Sequence, residues 1–236
     1  MSMDTLLTKG YTIIRDIFSY EEVGLMVKKI MEGNSSSPAF RRTNDLFAIR
    51  RFLEEIPAIQ PLIFTSKLNA IIHEYFGGDY FVVKSIYFDK PKDSNWFVAW
   101  HQDLMIAVNK KIDLPGFGPW TVKQDQYAVQ PPQDILENIF TIRIHLDDTD
   151  ERNGALRVIP GSHRNGVHRY SPAGSTNEKE ICRVPCGGIM IMRPLLQHAS
   201  SRAISAARRR VIHIELSNSS LPGGLEWSEH LKIKSS

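Results

Sequence analysis

The sequence has few cysteines and no long apolar run. Cys182 and Cys186 are the two cysteines of the 236 residues, too few for a disulfide framework or a four-cysteine zinc site. We therefore expect both thiols to be free in a reducing compartment. No apolar run approaches the roughly 18 to 20 residues that a membrane helix needs, and the first residues lack the pattern of a signal peptide. We expect a cytoplasmic protein with no membrane partner.

The sequence also lacks a strong excess of one charge. Its 29 Lys and Arg residues face 26 Asp and Glu residues, so the net charge is +3, far from the concentrated positive field of a nucleic-acid-binding protein. Hydrophobic residues make up 42% and charged residues 23% of the chain, which excludes a disordered chain and a coiled coil. We expect one globular domain over residues 1–236 that acts on a small molecule rather than on nucleic acid.

The first part of the chain favours helices. Ser19 and Glu22 form an S-x-x-E capping box, after which apolar residues recur at helical spacing. Residues 46–53 and 66–76 have the same spacing, and Gly77 and Gly78 end the second stretch. We expect a helix-rich N-terminal part over about residues 1–78.

The rest of the chain consists of short β-rich runs separated by turn residues. These runs are residues 80–88, 96–103, 139–146, 155–160, 188–193 and 210–216. No helical crossover of sufficient length separates them, so the pattern predicts an antiparallel barrel or jelly roll over about residues 79–218. The fold class expected is mainly β with flanking helices.

One connection is too long to be a simple loop. Residues 104–138 form an insertion rich in Gly, Pro and aromatic residues, and long ordered loops on β scaffolds often act as lids. Trp120 is the candidate substrate-binding residue of this insertion. The alternative is that Trp120 only packs the insertion against the rest of the protein.

Three residues form a candidate metal site. His101 and Asp103 lie two apart at the end of a β run and therefore point to the same face of a strand, and His198 follows a later run. Two histidines and one carboxylate are the facial triad of non-haem Fe(II) oxygenases. An isolated H-x-D is weak evidence for a metal, and a hydrogen-bonded cluster without metal is the alternative.

An arginine that could pair with a carboxylate lies at the start of the last β run. Arg208, Arg209 and Arg210 are consecutive there, and a guanidinium binds a carboxylate through two parallel hydrogen bonds. Strand alternation puts Arg209 on the face opposite Arg210, but periodicity alone does not choose between the three arginines.

The sequence resembles the phytanoyl-CoA dioxygenase family of Fe(II)- and 2-oxoglutarate-dependent oxygenases. The resemblance covers nearly the whole chain and depends on three motifs in the same order and spacing. These motifs are FDKPKDSNWFVAWHQD, LDDTDERNGALRVIPGSH and MRPLLQHASS followed by RRRVIHIEL. It implies a double-stranded β-helix, a jelly roll that carries the iron site at its open end.

The resemblance also implies roles for single residues. His101, Asp103 and His198 fall on the ligands of Fe(II). Arg209 falls on the residue that pairs with the distal carboxylate of 2-oxoglutarate, and Ser200 on a hydroxyl near the same cosubstrate. Arg143 falls on a strand position that faces the cosubstrate, where family members often carry tryptophan. It could orient the cosubstrate, bind an acidic substrate group or lie at the surface.

The reaction that the resemblance implies uses O₂ and couples decarboxylation of 2-oxoglutarate to hydroxylation, or a related C–H oxidation, of a small-molecule substrate. Asp103 favours hydroxylation, because halogenating relatives lack this carboxylate. Two alternatives stay open: a cupin-like metal enzyme that does not use 2-oxoglutarate, and a non-catalytic jelly-roll binding protein. The fold does not identify the substrate.

Overall fold

The protein was analysed as a computed structural model that describes residues 3–33, 37–42, 47–90, 97–123, 126–168, 178–205 and 207–233. The helices are α1 (Met3–Lys9), α2 (Tyr20–Met31), α3 (Phe52–Glu55), α4 (Gln60–Ile63), α5 (Ser66–Phe76) and α6 (Gln133–Glu137), with 3₁₀ turns at Pro57–Ile59 and Ser162–Asn165. The strands are β1 (Tyr11–Ile14), β2 (Phe40–Arg42), β3 (Phe47–Arg50), β4 (Phe81–Lys90), β5 (Val98–His101), β6 (Ile106–Val108), β7 (Trp120–Lys123), β8 (Gln126–Val129), β9 (Ile139–His145), β10 (Leu156–Val158), β11 (Glu180–Ile181), β12 (Ile189–Met192), β13 (His198–Ser200), β14 (Arg209–Ser217) and β15 (Leu231–Lys232).

The centre of the fold is a pair of antiparallel sheets. The large sheet has the strand order β1-β12-β9-β14-β4-β3-β2, with β15 also on β4, and the small sheet has the order β11-β10-β13-β5. Apolar residues of the two sheets pack together, among them Tyr11 and Met192 of the large sheet with Leu156 and Val158 of the small one. The two sheets therefore face each other as in a jelly roll.

Strand alternation divides the large sheet into an outer and an inner face. On β14, Ile212, Ile214 and Leu216 join the main core cluster with Phe52 of α3 and Leu68 of α5. The intervening side chains of β14 must therefore point the other way, towards the small sheet. That inner face carries Arg209, Val211, His213 and Glu215, so it is unusually polar for a buried surface.

The N-terminal part confirms two of the three expected helices. The capping box of α2 is present, with the hydroxyl of Ser19 accepting from the N–H of Glu22 and the carboxylate of Glu22 accepting from the N–H of Ser19. Helix α5 covers residues 66–76 as expected. The helix expected over residues 46–53 is wrong: Leu46 lies outside the described residues, and β3 pairs with β4 before the short α3 begins.

The insertion over residues 104–138 contains regular structure. Strands β6, β8 and β7 form a third antiparallel sheet, and α6 follows it. Its buried residues Ile106 and Val129 share a second apolar cluster with Val83 of β4 and with Leu225 and Trp227 near the C-terminus. The insertion is thus anchored to the rest of the protein by buried apolar contacts. No helix within the described ranges has both the length and the apolar character needed to cross a membrane.

Candidate metal centre

The two histidines of the predicted triad are neighbours on adjacent strands of the small sheet. Strands β5 and β13 pair antiparallel, and the register places His101 directly opposite His198. The centroids of the two imidazole rings are 4.2 Å apart. Two residues that are distant in sequence are thus brought side by side by a single strand pairing.

Backbone carbonyls orient both rings in the same way. Nδ1 of His101 lies 2.8 Å from the carbonyl oxygen of Ala99, and Nδ1 of His198 lies 2.8 Å from that of Leu196. A carbonyl oxygen only accepts, so each Nδ1 carries the proton and each Nε2 presents a lone pair. A hydrogen bond of this kind, from the ring nitrogen that does not bind the metal, fixes the tautomer of metal-binding histidines.

Asp103 completes the triad. Its N–H donates to the carbonyl of Pro194 at 2.9 Å, close to the start of β13. Its two carboxylate oxygens lie 3.7 Å from Nε2 of His101 and 3.8 Å from Nε2 of His198. These distances are too long for hydrogen bonds, and all three ligand atoms lie within 4.8 Å of one another. The spacing fits three donors around one cation better than a hydrogen-bonded cluster.

The electrostatics favour the protonation states that a metal requires. Burial on its own raises the pKa of Asp103, but its electrostatic interactions with the neighbouring His198, His213 and Lys84 more than offset this effect and hold the pKa well below its ordinary value. Burial lowers the pKa of His198 to about 4, against the opposing effect of Asp103. At neutral pH the site therefore offers a carboxylate and an unprotonated imidazole, as metal ligation requires.

The triad opens into a cavity of about 220 Å³ between the two sheets. Its walls include His101, Asp103 and His198, together with Arg143, Ser200, Arg209 and His213. Phe88, Val98, Leu156 and Val211 supply the apolar part of the wall. A larger depression of about 470 Å³ near Arg50 and Asn109 brings together no group of metal ligands among the described residues.

Arg209 is the arginine of β14 that faces this cavity. Its side chain is buried, and its guanidinium donates to the carbonyl of Gly154. Gly154 has a φ of +85°, and a Cβ there would lie 2.8 Å from the carbonyl oxygen of Ser201, so only glycine fits this close turn. Burial lowers the pKa of Arg209 to about 9, and neighbouring Arg143 contributes to the shift.

The neighbouring arginines have other partners. Arg208 forms a two-bonded ion pair with Asp89, with Nε 2.8 Å from Oδ1. Arg210 does the same with Asp147, at 2.9 Å from Nε and 2.6 Å from Nη2. The structure thus places Arg209, and neither of its neighbours, on the wall of the cavity.

Ser200 and Arg143 also reach the cavity. The hydroxyl of Ser200, on β13, is buried and has no hydrogen-bond partner among the described residues. Arg143, on β9, is buried, with Nη1 3.0 Å from Nδ1 of His213. Burial lowers the pKa of Arg143 below its ordinary value. Neither residue lies at the surface, so the surface alternative for Arg143 is not supported.

A buried polar chain continues behind Arg143. Arginine only donates, so Nδ1 of His213 accepts and its Nε2 carries the proton, which it donates to Glu215 at 3.0 Å. Lys84 donates to the same Glu215 oxygen at 2.7 Å. Asp103, His213 and Glu215 also lie close enough together to hold a metal ion. The series of hydrogen bonds ends in the positively charged Arg143 and Lys84, however, so a further cation there is unfavourable. Only the alternating polar residues of β14 in the sequence indicate this chain.

Gln102 was not predicted as a site residue. Its amide nitrogen donates to the carbonyls of Leu195 at 2.7 Å and Gly166 at 2.8 Å, and its oxygen accepts from the N–H of His168 at 2.8 Å. It therefore ties the strand that carries His101 to the segment that leads to His198. Its position between the two ligands in H-Q-D is the only sequence signal for this role.

Trp120 lies away from the cavity wall. It starts β7 and packs, partly buried, on the second apolar cluster. It does not line the cavity. The described contacts support packing of the insertion and supply none to a substrate.

The donor set matches the group that the sequence resemblance implies. Two imidazoles and one carboxylate converge without bonding to each other, and the same cavity wall holds a buried guanidinium and a hydroxyl that has no partner in the described part of the chain. The profile of the family described as Phytanoyl-CoA dioxygenase (PhyH) matches residues 6–211. The chain belongs to the phytanoyl-CoA dioxygenase family. It is an Fe(II)- and 2-oxoglutarate-dependent dioxygenase, so the expected class, metal and cosubstrates are confirmed.

A curated relative supports this assignment. A protein of Stutzerimonas stutzeri described as a probable alpha-ketoglutarate-dependent hypophosphite dioxygenase is 26% identical over 240 residues. The match covers 88% of this chain and 74% of the relative.

Solved structures of similar fold include EctD and HygX. EctD from S. alaskensis with bound Fe is 17% identical and has a TM-score of 0.69, with 91% of this chain and 75% of that chain covered. HygX from Streptomyces hygroscopicus with nickel and 2-oxoglutarate bound is 15% identical and has a TM-score of 0.65, with 93% and 88% covered. These similarities confirm the mainly β jelly-roll fold of this family member.

Proposed function

We propose that this chain binds Fe(II) through His101, Asp103 and His198 and 2-oxoglutarate through Arg209 and Ser200, and that it hydroxylates a small-molecule substrate. The observation that carries the proposal is the convergence of three ligand atoms at a cavity that also holds a buried guanidinium without a counter-ion and a hydroxyl without a hydrogen-bond partner among the described residues. When bound, the iron supplies activation of O₂, which is coupled to decarboxylation of 2-oxoglutarate to succinate and CO₂.

The residues of the chain have distinct tasks in this reaction. His101 and His198 present Nε2 because the carbonyls of Ala99 and Leu196 hold the proton at Nδ1. Asp103 adds one negative charge and leaves the open side of the ligand set to small molecules. Phe88, Leu156 and Val211 form the apolar part of the cavity wall, and an apolar wall strengthens charge interactions beside it.

The cosubstrate is an anion with two carboxylates, and the cavity offers a matching partner. Arg209 is buried and pairs only with a backbone carbonyl among the described residues. A buried guanidinium without a counter-ion is costly, and a carboxylate provides that counter-ion through paired hydrogen bonds. The free hydroxyl of Ser200 can donate to a second oxygen of the same ligand.

The descriptions of the relatives name small molecules. The curated relative is named for hypophosphite, and the solved neighbours include EctD with 5-hydroxyectoine and HygX with hygromycin B. We infer that the substrate here is also a small molecule. The cytoplasmic location expected from the two free thiols, Cys182 and Cys186, stays a prediction.

The test measures iron content and succinate formation on the purified protein. We expect one iron per chain and succinate that requires Fe(II), 2-oxoglutarate and O₂ together. Asp103→Ala and His198→Ala should each lose most of the iron and at least 90% of the succinate. His73→Ala, which removes an exposed histidine of α5, is the matched control and should change neither quantity.

The alternatives give different results. Iron-dependent O₂ uptake without succinate would indicate a metal enzyme that does not use 2-oxoglutarate. No O₂ uptake by the iron-loaded protein, with or without added cell metabolites, would indicate a binding protein. Unchanged iron content in both triad variants would contradict the proposed ligands.

A further inference from the structure

Among the described residues, the wall of the cavity contains two buried arginines and one carboxylate. Arg143 and Arg209 are 8% and 6% exposed, and neither forms an ion pair with a carboxylate among the described residues. Their hydrogen-bond partners, the ring of His213 and the carbonyl of Gly154, carry no negative charge. Asp103 is the carboxylate of the cavity wall, and the proposed function assigns it to the metal.

The groups behind Arg143 do not neutralise it. The charge of Glu215 is taken by Lys84 at 2.7 Å, and the ring of His213 separates Glu215 from the arginine. Cys182 is close enough to interact electrostatically with Arg143, but burial raises the pKa of its thiol to about 12. The thiol is therefore uncharged at neutral pH. Nε of Arg143 also has no hydrogen-bond partner among the described residues.

The proposed cofactors leave one positive charge in the cavity. Fe(II) with Asp103 and the doubly charged 2-oxoglutarate carries one net negative charge, which Arg209 balances. Arg143 is then the remaining charged group on the wall. A buried charge without a partner strongly destabilises the protein, so a residue of this kind is expected where an incoming ligand supplies the opposite charge.

We infer that Arg143 binds an anionic group of the substrate, an oxyanion such as a carboxylate or a phosphonate, beside the metal. This inference rests on the proposed function and assigns the substrate class of the same site. The cavity of about 220 Å³ must also hold 2-oxoglutarate and is smaller than the roughly 300 to 1,000 Å³ of pockets that take drug-sized ligands. The part of the substrate that enters is therefore compact.

His213 is what aims Arg143 into the cavity. It accepts from Nη1 of the arginine and is itself fixed by the bond from its Nε2 to Glu215. The β9–β14 register places His213 opposite Arg143, and Glu215 follows His213 by two residues on the same face of β14. The guanidinium is thus held in place before a ligand binds, which lowers the entropic cost of binding.

The test is titration calorimetry without O₂ on protein loaded with Ni(II) and 2-oxoglutarate, so that no turnover occurs. The probes are propionate, phosphite and methylphosphonate, with propionamide as the uncharged counterpart of propionate. We expect at least one oxyanion to bind at least tenfold more tightly than propionamide. Arg143→Gln should weaken that oxyanion at least tenfold while it changes the affinity for 2-oxoglutarate less than threefold. Arg143→Lys should restore part of the loss.

Arg183→Gln is the matched control, because Arg183 is exposed and paired with Glu151. It should leave both affinities unchanged. Equal binding of propionate and propionamide by the wild-type protein, or no oxyanion binding by wild-type protein that binds 2-oxoglutarate, would overturn the inference even if the variants fail to fold. An Arg143→Gln variant that loses affinity for 2-oxoglutarate but keeps its affinity for the oxyanion would also overturn the inference. Wild-type protein that binds neither Ni(II) nor 2-oxoglutarate would instead remove the proposed function, and the inference with it.

Discussion

Arg209 and Arg210 leave β14 towards opposite faces of the large sheet. The guanidinium of Arg209 lies in the cavity against the carbonyl of Gly154, whereas that of Arg210 is paired with Asp147 on the other face. Two adjacent arginines therefore have different chemical tasks. Arg210 is neutralised within the protein, and Arg209 keeps its charge available for a ligand.

This difference predicts the effect of removing each arginine on 2-oxoglutarate binding. Loss of a buried charge partner typically costs about 2 to 5 kcal/mol, so Arg209→Ala should raise the 2-oxoglutarate concentration needed for half-maximal turnover by about 30-fold or more. Arg209→Lys keeps the charge but loses the paired hydrogen bonds, and an intermediate defect is expected. Steady-state succinate formation at varied 2-oxoglutarate measures both.

Arg208→Ala is the matched control, since Arg208 is half exposed and bound to Asp89. It should leave the 2-oxoglutarate requirement unchanged. A defect in Arg210→Ala that is absent in Arg209→Ala would show that the cosubstrate contacts the other face of β14.

We expect the hydrogen bonds of Gln102 to hold the proposed metal ligands in position. Gln102→Leu keeps an uncharged side chain of similar size but removes the bonds to Leu195, Gly166 and His168. Because these bonds tie the two histidine-bearing segments together, we expect the dissociation constant for Fe(II) to rise by about tenfold, as for other residues that support metal ligands. Metal titration of the folded variant measures it.

A merely structural role would lower the thermal midpoint and leave the metal affinity of the folded protein unchanged, and that result would contradict the prediction. Gln102→Glu keeps the acceptor for His168 and should be intermediate. Gln126→Leu is the control, because Gln126 makes a single side-chain bond, 3.1 Å to Ser228, in the insertion. It should leave the metal affinity unchanged.

The convergence of the three proposed metal ligands could be predicted from the sequence because two kinds of local information were enough. The parity of a strand puts His101 and Asp103 on one face, and the position of His198 in a second motif matches the family. The choice of Arg209 needed the resemblance, because the partners that divert Arg208 and Arg210, Asp89 and Asp147, are far away in the chain.

The errors arose where long-range pairing decided the local structure. Apolar residues around Phe47 and Leu53 have helical spacing, yet the backbone of Phe47–Arg50 pairs with β4, and such pairing routinely overrides propensity. The charge state of Arg143 could not be predicted for the same reason. Its environment is built by His213 and Glu215 on β14 and Lys84 on β4, which meet only in the folded sheet.

We expect removal of the Trp120 side chain to reduce the stability of the fold rather than the turnover of 2-oxoglutarate. It packs on the second apolar cluster while remaining partly exposed, so Trp120→Ala should lower the free energy of unfolding by about 2 kcal/mol, less than the roughly 3 to 5 kcal/mol of a fully buried aromatic. Urea unfolding measures this, and 2-oxoglutarate turnover in the absence of substrate should not change. Tyr20→Ala, at a tyrosine that is 78% exposed, is the control. An unchanged free energy of unfolding in Trp120→Ala would favour the substrate-contact interpretation.

We expect the buried carboxyl of Glu229 to make the free energy of unfolding fall as the pH rises. Its buried carboxyl accepts from the N–H of Ser85 at 2.8 Å and from the Ser85 hydroxyl, and burial raises its pKa from 4.5 to about 7, with Glu54 adding to the shift and Arg51 opposing it. Between these two values the unfolded chain loses the proton while the folded protein keeps it, so the folded state loses relative stability as the pH rises through that window and no further above it. At about 1.4 kcal/mol per pKa unit, the loss reaches at most about 3.5 kcal/mol. Glu229→Gln cannot ionise and should therefore gain stability relative to wild type between pH 4.5 and pH 7, measured as the difference in urea-unfolding free energy.

Glu74→Gln, at an exposed position of α5, is the control and should follow the wild-type curve. Parallel curves for Glu229→Gln and wild type would show that Glu229 is already ionised in the folded protein at pH 5.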